Sequence, residues 1–213
     1  MAIGVFGGTF DPVHNGHLVL AGAALREFSL DRVLFIPAAQ PPHKEGKKLT
    51  SFAHRAAMLE LALKDHPAFV PDRMEERRPG PSYSVDTLKE LRLRLGWECS
   101  LYFVIGSDAF REIDTWKSYR ALFDYADFLV AERPDVAPGR LSDLLAGQPE
   151  FSPDHAGRCW RHRGGGKLYP LPVEAFLVSA TTIRRRVQAG EPITGLVPPP
   201  VADYIYQHHL YHG

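Results

Sequence analysis

The sequence predicts a doubly wound α/β domain built on a parallel sheet, and two observations carry that prediction. Short apolar runs bounded by Gly and Pro alternate with segments whose apolar residues recur at helical spacing, the order that gives right-handed β-α-β crossovers. The first of those runs, AIGVFGG, ends in a Gly-Gly pair, where an α/β sheet offers its first loop to ligand. At 213 residues, 45% hydrophobic and 23% charged, the chain is long enough to bury a core, and one domain over 1–213 is expected.

The elements follow in order. AIGVFGG reads as a buried strand, GHLVLAGAALREF as a helix with Leu18, Ala21, Leu25 and Phe28 on one face, and RVLFIPA as a strand closed by Pro37. After the Pro- and Lys-rich loop QPPHKEGKKL, SFAHRAAMLELALKD is a helix with Ser51 as its N-cap. AFVPDR is a strand, RRPGPSYS a loop, VDTLKELRLRL a helix expected to be capped by Ser84, and SLYFVIG a strand. Short helices in DAFREI and SYRALFDYA lead to the strand DFLVAE. From Pro134 to about Lys167, Pro, Gly and Asp dissolve the pattern, so residues 134–167 are expected to form an irregular surface segment with one apolar stretch, LSDLL. A strand near EAFLV, a helix in ATTIRRRVQAG and a helix in PPVADYIYQHHL complete five or six parallel strands.

Composition excludes several function classes. Twenty-five basic residues balance twenty-five acidic ones, so no whole-molecule field favours nucleic acid or a membrane surface. The short basic run CWRHRGGGK reads as a solvated loop. The N-terminus has no basic leader, and Gly7, Gly8 and Asp11 interrupt its apolar run. No stretch approaches 18 apolar residues, so a cytoplasmic protein is expected. Two cysteines, Cys99 and Cys159, fit free thiols rather than a disulfide framework or a zinc cluster.

The chemistry concentrates in GVFGGTFDPVHNGHL, residues 4–18. The glycines match neither the G-x-G-x-x-G dinucleotide fingerprint nor the G-x-x-x-x-G-K-[ST] P-loop. They still let the backbone approach a phosphate, beside a helix N-terminus that offers unpaired N–H groups. His14 and His17 straddle the helix start. Their spacing of three, with no intervening Glu and no third ligand nearby, disfavours zinc. Polar rings beside a Gly-Gly turn are poorly placed for mere packing. Phosphate recognition remains, since an imidazole with pKa near 6.5 can become cationic beside an anion and carries directed N–H donors.

GGTFDPVHNGH resembles the signature of the nucleotidyltransferase superfamily, whose members carry H-x-G-H after the first strand. Four further stretches resemble the bacterial nicotinate-nucleotide adenylyltransferases within it: PPHK (41–44), PSYSVDTL (81–88), IGSDAFREIDTW (105–116) and VSATTIRRR (178–186). The resemblance covers nearly the whole chain. It implies a Rossmann-like doubly wound parallel sheet of the nucleotidyltransferase type in a single domain. The reaction implied is transfer of AMP from ATP to nicotinate mononucleotide with release of pyrophosphate, in NAD biosynthesis.

The same resemblance assigns roles. His17 is the stronger candidate for the transferring phosphoryl group, with His14 and Arg184 beside it as catalytic groups. Gly7, Gly8, Thr9, Gly106, Asp108, Ser179 and Thr181 complete an ATP site, while Asp11 is expected to hold the turn. Ser84, Val85 and Thr87 would meet the acceptor's carboxylate at a helix start, and Trp116 would stack on its ring. His43 and Lys44 are counted with the acceptor, in a loop expected to close over phosphates. Mg²⁺ is implied as the companion of ATP, with no dedicated carboxylate cage. The partners implied are ATP and nicotinate mononucleotide, with no nucleic acid and no membrane, and assembly as a homo-oligomer is left open. Two alternatives compete: a sister transferase using phosphopantetheine or another phosphorylated acceptor, and a non-catalytic nucleotide-binding module. A class I aminoacyl-tRNA synthetase is disfavoured because K-M-S-K-S is missing.

Overall fold

A computed structural model describes residues 1–42, 49–132, 140–154, 157–173 and 178–212. In chain order the elements are β1 (Ala2–Gly8), α1 (Asn15–Glu27), β2 (Arg32–Pro37), α2 (Phe52–Leu63), β3 (Phe69–Pro71), a 3₁₀ turn (Met74–Arg77), α3 (Ser84–Leu95) and β4 (Ser100–Gly106). There follow α4 (Ser107–Phe110), a 3₁₀ turn (Ile113–Thr115), α5 (Tyr119–Tyr125), β5 (Asp127–Glu132), α6 (Leu141–Leu144), β6 (Phe151–Pro153), β7 (Trp160–His162), β8 (Lys167–Pro172), α7 (Ala180–Gln188) and α8 (Pro199–Gln207).

Among the described residues one sheet of eight strands runs β3-β2-β1-β4-β5-β8-β7-β6, parallel from β3 to β8 and antiparallel from β8 to β6. The chain moves outward from β1 to β3, then restarts at β4 on the other side of β1. The reversal between β1 and β4 opens a crevice beyond their carboxyl ends, where α/β sheets gather ligands. Each face of the sheet carries its own core. Ala21, Met58, Leu59, Ile183, Val201 and Ile205 bring α1, α2, α7 and α8 to one face. Val85, Leu88, Leu91, Leu122 and Phe123 bring α3 and α5 to the other. This is the expected doubly wound architecture.

Three expectations are corrected. Residues 140–154 and 157–167, expected as irregular surface, contain α6, β6 and β7, which extend the sheet antiparallel and bury Leu141, Phe151, Cys159 and His162. KLYPLP, to which the sequence pattern gives no element, is the last parallel strand among the described residues, and of EAFLV residues 174–177 lie outside them. Pro170 and Pro172 are tolerated in β8 because β7 pairs with Lys167 and Leu168, and among the described residues the rest of that side is an edge that needs no N–H donors. Finally, α3 starts one residue early: Tyr83 is the N-cap and Ser84 the first helical residue. Ser51 does cap α2, its side chain accepting from His54 N–H.

Candidate active site

The crevice is a cavity of about 650 Å³. Its floor is the end of β1 and the turn after it: Gly7, Gly8 and Thr9, with His14 and His17 above. A Cβ on Gly8 would meet the Phe10 ring at 3.0 Å, so a larger residue there would require that buried ring to give way by a few tenths of an ångström. Phe10 is held at φ +48, rare for a bulky residue, and is almost fully buried between Phe6 and His17, at 5.7 and 5.0 Å between ring centroids.

The two histidines form one unit. Their rings stack with centroids 3.7 Å apart, and His14 N–H donates to His17 Nδ1 at 3.1 Å. His14 is the N-cap of α1 and His17 the third helical residue, so the three-residue spacing is that of a capping box written with imidazole. The bond leaves Nδ1 of His17 unprotonated, so its neutral ring carries the proton on Nε2, as a donor. Burial, with the neighbouring His14 adding to it, holds His17 well below the usual histidine range. A cationic His17 is therefore disfavoured in the free protein. Burial in a ring stack overrides the reference value.

Beyond β4, Gly106 lines the cavity and a Cβ there would meet nothing within 4 Å, so its surroundings are open. Ser179 also lines the cavity, as the N-cap of α7, its Oγ accepting from Thr182 N–H at 3.1 Å. The far half of the cavity has Tyr83, Ser84 and Val85 at the start of α3 and Trp116 after the second 3₁₀ turn. The Trp116 indole stands edge-on to Phe103, with centroids 6.3 Å apart. The first N–H groups of α3 have no intrahelical acceptor, which suits them to an anion.

Four expected residues stand outside the wall. Thr87 is buried, its hydroxyl bonded to Glu75 and accepting from Arg78 Nη2 at 2.7 Å. Asp108 sits exposed on α4, 3.8 Å from Arg111. Thr181 is exposed, accepting from Arg184 Nη2 at 3.4 Å. Arg184 reaches across to the first turn and donates from Nη1 to the Asp11 carbonyl at 2.7 Å. His43 and Lys44 lie outside the described residues. Asp11 holds the turn, as expected: its Oδ1 accepts from the Tyr211 hydroxyl at 2.7 Å and its Oδ2 from Thr50 N–H at 3.3 Å.

Two further positions shape the site without belonging to any motif of the sequence. Arg55, 1% exposed, donates to the carbonyls of Thr9, Ala38, Ala39 and Thr50, at 2.7, 2.8, 3.3 and 3.0 Å, and so ties the loops after β1 and β2 together. Burial lowers its pKa, partly offset by Asp11, Tyr211 and Glu75, and leaves an arginine still charged. It lies one helical turn before Leu59 on the buried face of α2, so a charge at a core position was the available signal. Glu75, buried in the cavity wall, had no such signal, because it belongs to a charged turn.

Residues 5–186 match the model of the cytidylyltransferase-like family. The chain is 41% identical to the "Probable nicotinate-nucleotide adenylyltransferase" of Citrifermentans bemidjiense, over 99% of this chain and 98% of that one. It is 41% identical to the protein of the same name from Desulfitobacterium hafniense, over 98% and 95%. A solved structure, Plasmodium falciparum nicotinic acid mononucleotide adenylyltransferase complexed with NaAD, shares the fold at TM-score 0.75 and 20% identity, covering 99% of this chain and 97% of that one. The chain belongs to the cytidylyltransferase-like family and, within it, to the nicotinate-nucleotide adenylyltransferases.

Proposed function

We propose that the protein transfers the adenylyl group of ATP to nicotinate mononucleotide, giving nicotinate adenine dinucleotide and pyrophosphate. The observation that carries this reading is the single cavity joining two unlike halves. One half has a Gly-Gly turn and stacked histidines, suited to phosphates; the other has an indole and a helix start, suited to an aromatic acid.

In the reaction a phosphate oxygen of the mononucleotide attacks the α-phosphorus in line. The bond from that phosphorus to the oxygen bridging to the β-phosphate breaks, and pyrophosphate leaves with its electron pair. The attacking oxygen is already ionised at pH 7, so no general base is required. Alignment of two polyanions and stabilisation of the transferring group are the protein's contribution. His17 supplies an N–H donor from its neutral form. That suits a transition state in which charge develops, because a directed dipole costs no reorganisation. Gly7, Gly8, Thr9, Gly106 and Ser179 form the ATP half, and Ser84, Val85 and Trp116 the acceptor half. Arg184 acts through the Asp11 carbonyl, and Thr87 through Glu75, as positioning residues.

Mg²⁺ enters as part of the MgATP substrate. Among the described residues no group of three or more His, Cys, Asp or Glu is placed to hold a metal. No described helix is long and apolar enough to cross a membrane. A supply of ATP and a mononucleotide acceptor agrees with action in the cytoplasm.

The test is pyrophosphate release from ATP with a panel of acceptors. Nicotinate mononucleotide is expected to give the highest kcat/KM. No more product from it than from phosphopantetheine would overturn the reading.

A further inference from the structure

We propose that Glu75 is a specificity-determining residue, giving the acceptor half of the cavity a buried anionic wall that selects a cationic heteroaromatic ring over its neutral counterpart. The inference rests on the acceptor being a pyridine mononucleotide, and adds to that reading the electronic state of the ring.

Glu75 lies in the 3₁₀ turn after β3, is 6% exposed, and lines the cavity together with Tyr83, Val85 and Trp116. Its two oxygens differ. Oε1 accepts from the Thr87 hydroxyl and faces Arg78 Nη2 at 3.4 Å. Oε2 is buried and has no hydrogen-bond partner among the described residues. An ionised oxygen left so is costly, and few buried polar atoms in proteins stay unsatisfied without a reason.

The surrounding charges do not cancel it. Arg78 is shared: Nη2 donates to Thr87 Oγ1 at 2.7 Å, and Nη1 to Glu90 Oε2 at 3.2 Å. One guanidinium thus serves two carboxylates, and the group keeps a net negative charge. Arg55 lies within the field of Glu75, but its N–H groups are engaged by four main-chain carbonyls and it also faces Asp11. Lys117, which also lines the cavity, is paired with Asp86 Oδ2 at 3.0 Å and lies over the Tyr83 ring.

A pyridinium ring complements such a wall. Its face, carrying a fixed positive charge, suits an indole such as Trp116, and a carboxylate in the cavity wall favours that charge through space, across a poorly solvated distance. The 1,4-dihydropyridine ring has nearly the same size and the same substituents but no charge. Selection between the two is therefore electrostatic rather than steric, and the carboxylate is the group that confers it.

The test is calorimetric binding of nicotinate mononucleotide and of its 1,4-dihydro form to the wild type and to Glu75→Gln. Glutamine keeps one oxygen for the Thr87 hydroxyl while removing the charge. The wild type is expected to bind the pyridinium form about tenfold or more tightly than the dihydro form. Glu75→Gln is expected to lower that ratio about tenfold, with MgATP affinity within about twofold of wild type. Glu75→Asp, which keeps the charge, should retain the preference. A folded Glu75→Gln with the wild-type ratio would overturn the proposal. So would a wild type that binds both forms equally, a result that needs no variant to fold. Selective binding without pyrophosphate release would sink the reaction instead and leave the anionic wall standing.

Discussion

At the scale of single residues, the stacked histidines join structure to chemistry. His17 secures the first turn of α1 through its Nδ1, and the same bond commits its one proton to Nε2. Replacing it should therefore have two separable effects. His17→Ala is expected to lower kcat by about 10²–10³, the usual loss of one preorganised donor, and to leave the acceptor KM nearly unchanged. It should also cost about 1 kcal/mol of stability in urea unfolding, because the N-cap N–H loses its acceptor. A normal kcat would refute the phosphate role even if stability fell. The pair was legible in the sequence as an i,i+3 spacing at a helix start. Its protonation was not, because burial between Phe10, Phe6 and His14 depends on the turn that Phe10 makes at positive φ. Arg55 shows the converse case. Its place on the apolar face of α2 was visible, but its four carbonyl partners come from the loops after β1 and β2 and from the residues leading into α2, and they meet only in the fold.

At the scale of elements, strands with apolar continuity were legible and the β6-β7-β8 extension was not. β6 and β7 have three residues each, too few for a period to show, and β8 carries two prolines. What holds the extension is tertiary. His162 ends β7 and stacks on Phe123 at 4.3 Å between centroids, packs against Phe151, and accepts Gly164 N–H at Nδ1 at 3.0 Å. A Cβ at Gly166 would strike the Phe123 carbonyl, so the turn can approach α5 only as glycine. Burial lowers the pKa of His162, Glu150 and Asp124 opposing that only in part. The folded state thus binds its proton less readily than the unfolded chain, whose histidines titrate near 6.5. His162 accordingly costs no stability above that pH. Stability is lost as pH falls below it toward the folded value, and His17 adds a loss of the same sign. His162→Phe, which keeps the aromatic packing and cannot take a proton, should reduce the difference between urea midpoints measured at pH 7.5 and 5.5. A difference equal to that of the wild type would show that the acid sensitivity lies elsewhere.

At the scale of the whole molecule, the two ends of the chain build one loop. Asn15 N–H donates to the Leu196 carbonyl at 2.9 Å and its side chain to the Gly195 carbonyl at 2.8 Å. Arg184 grips the Asp11 carbonyl, and the Tyr211 hydroxyl donates to Asp11 Oδ1. No sequence pattern announces a contact between residues 200 positions apart, which is why Asp11 could be read as a turn residue while its partner could not. Burial and the Asp11 carboxylate push the Tyr211 hydroxyl far above the usual phenol range, so it stays protonated and remains a donor across all working pH values. Tyr211→Phe removes that donor, together with the hydrogen bond between the Tyr211 hydroxyl and the Thr50 side chain, and leaves one oxygen of a buried carboxylate without its partner. The expected cost is about 1–3 kcal/mol in urea unfolding. Because Asp11 fixes the turn between Thr9 and His14, the kinetic effect should fall on the ATP half: KM for ATP should rise several-fold, while KM for the acceptor stays near its wild-type value. If both KM values rose together, the C-terminal tether would be supporting the whole cavity rather than the phosphate turn, and unchanged stability would mean that Thr50 N–H alone suffices to hold Asp11.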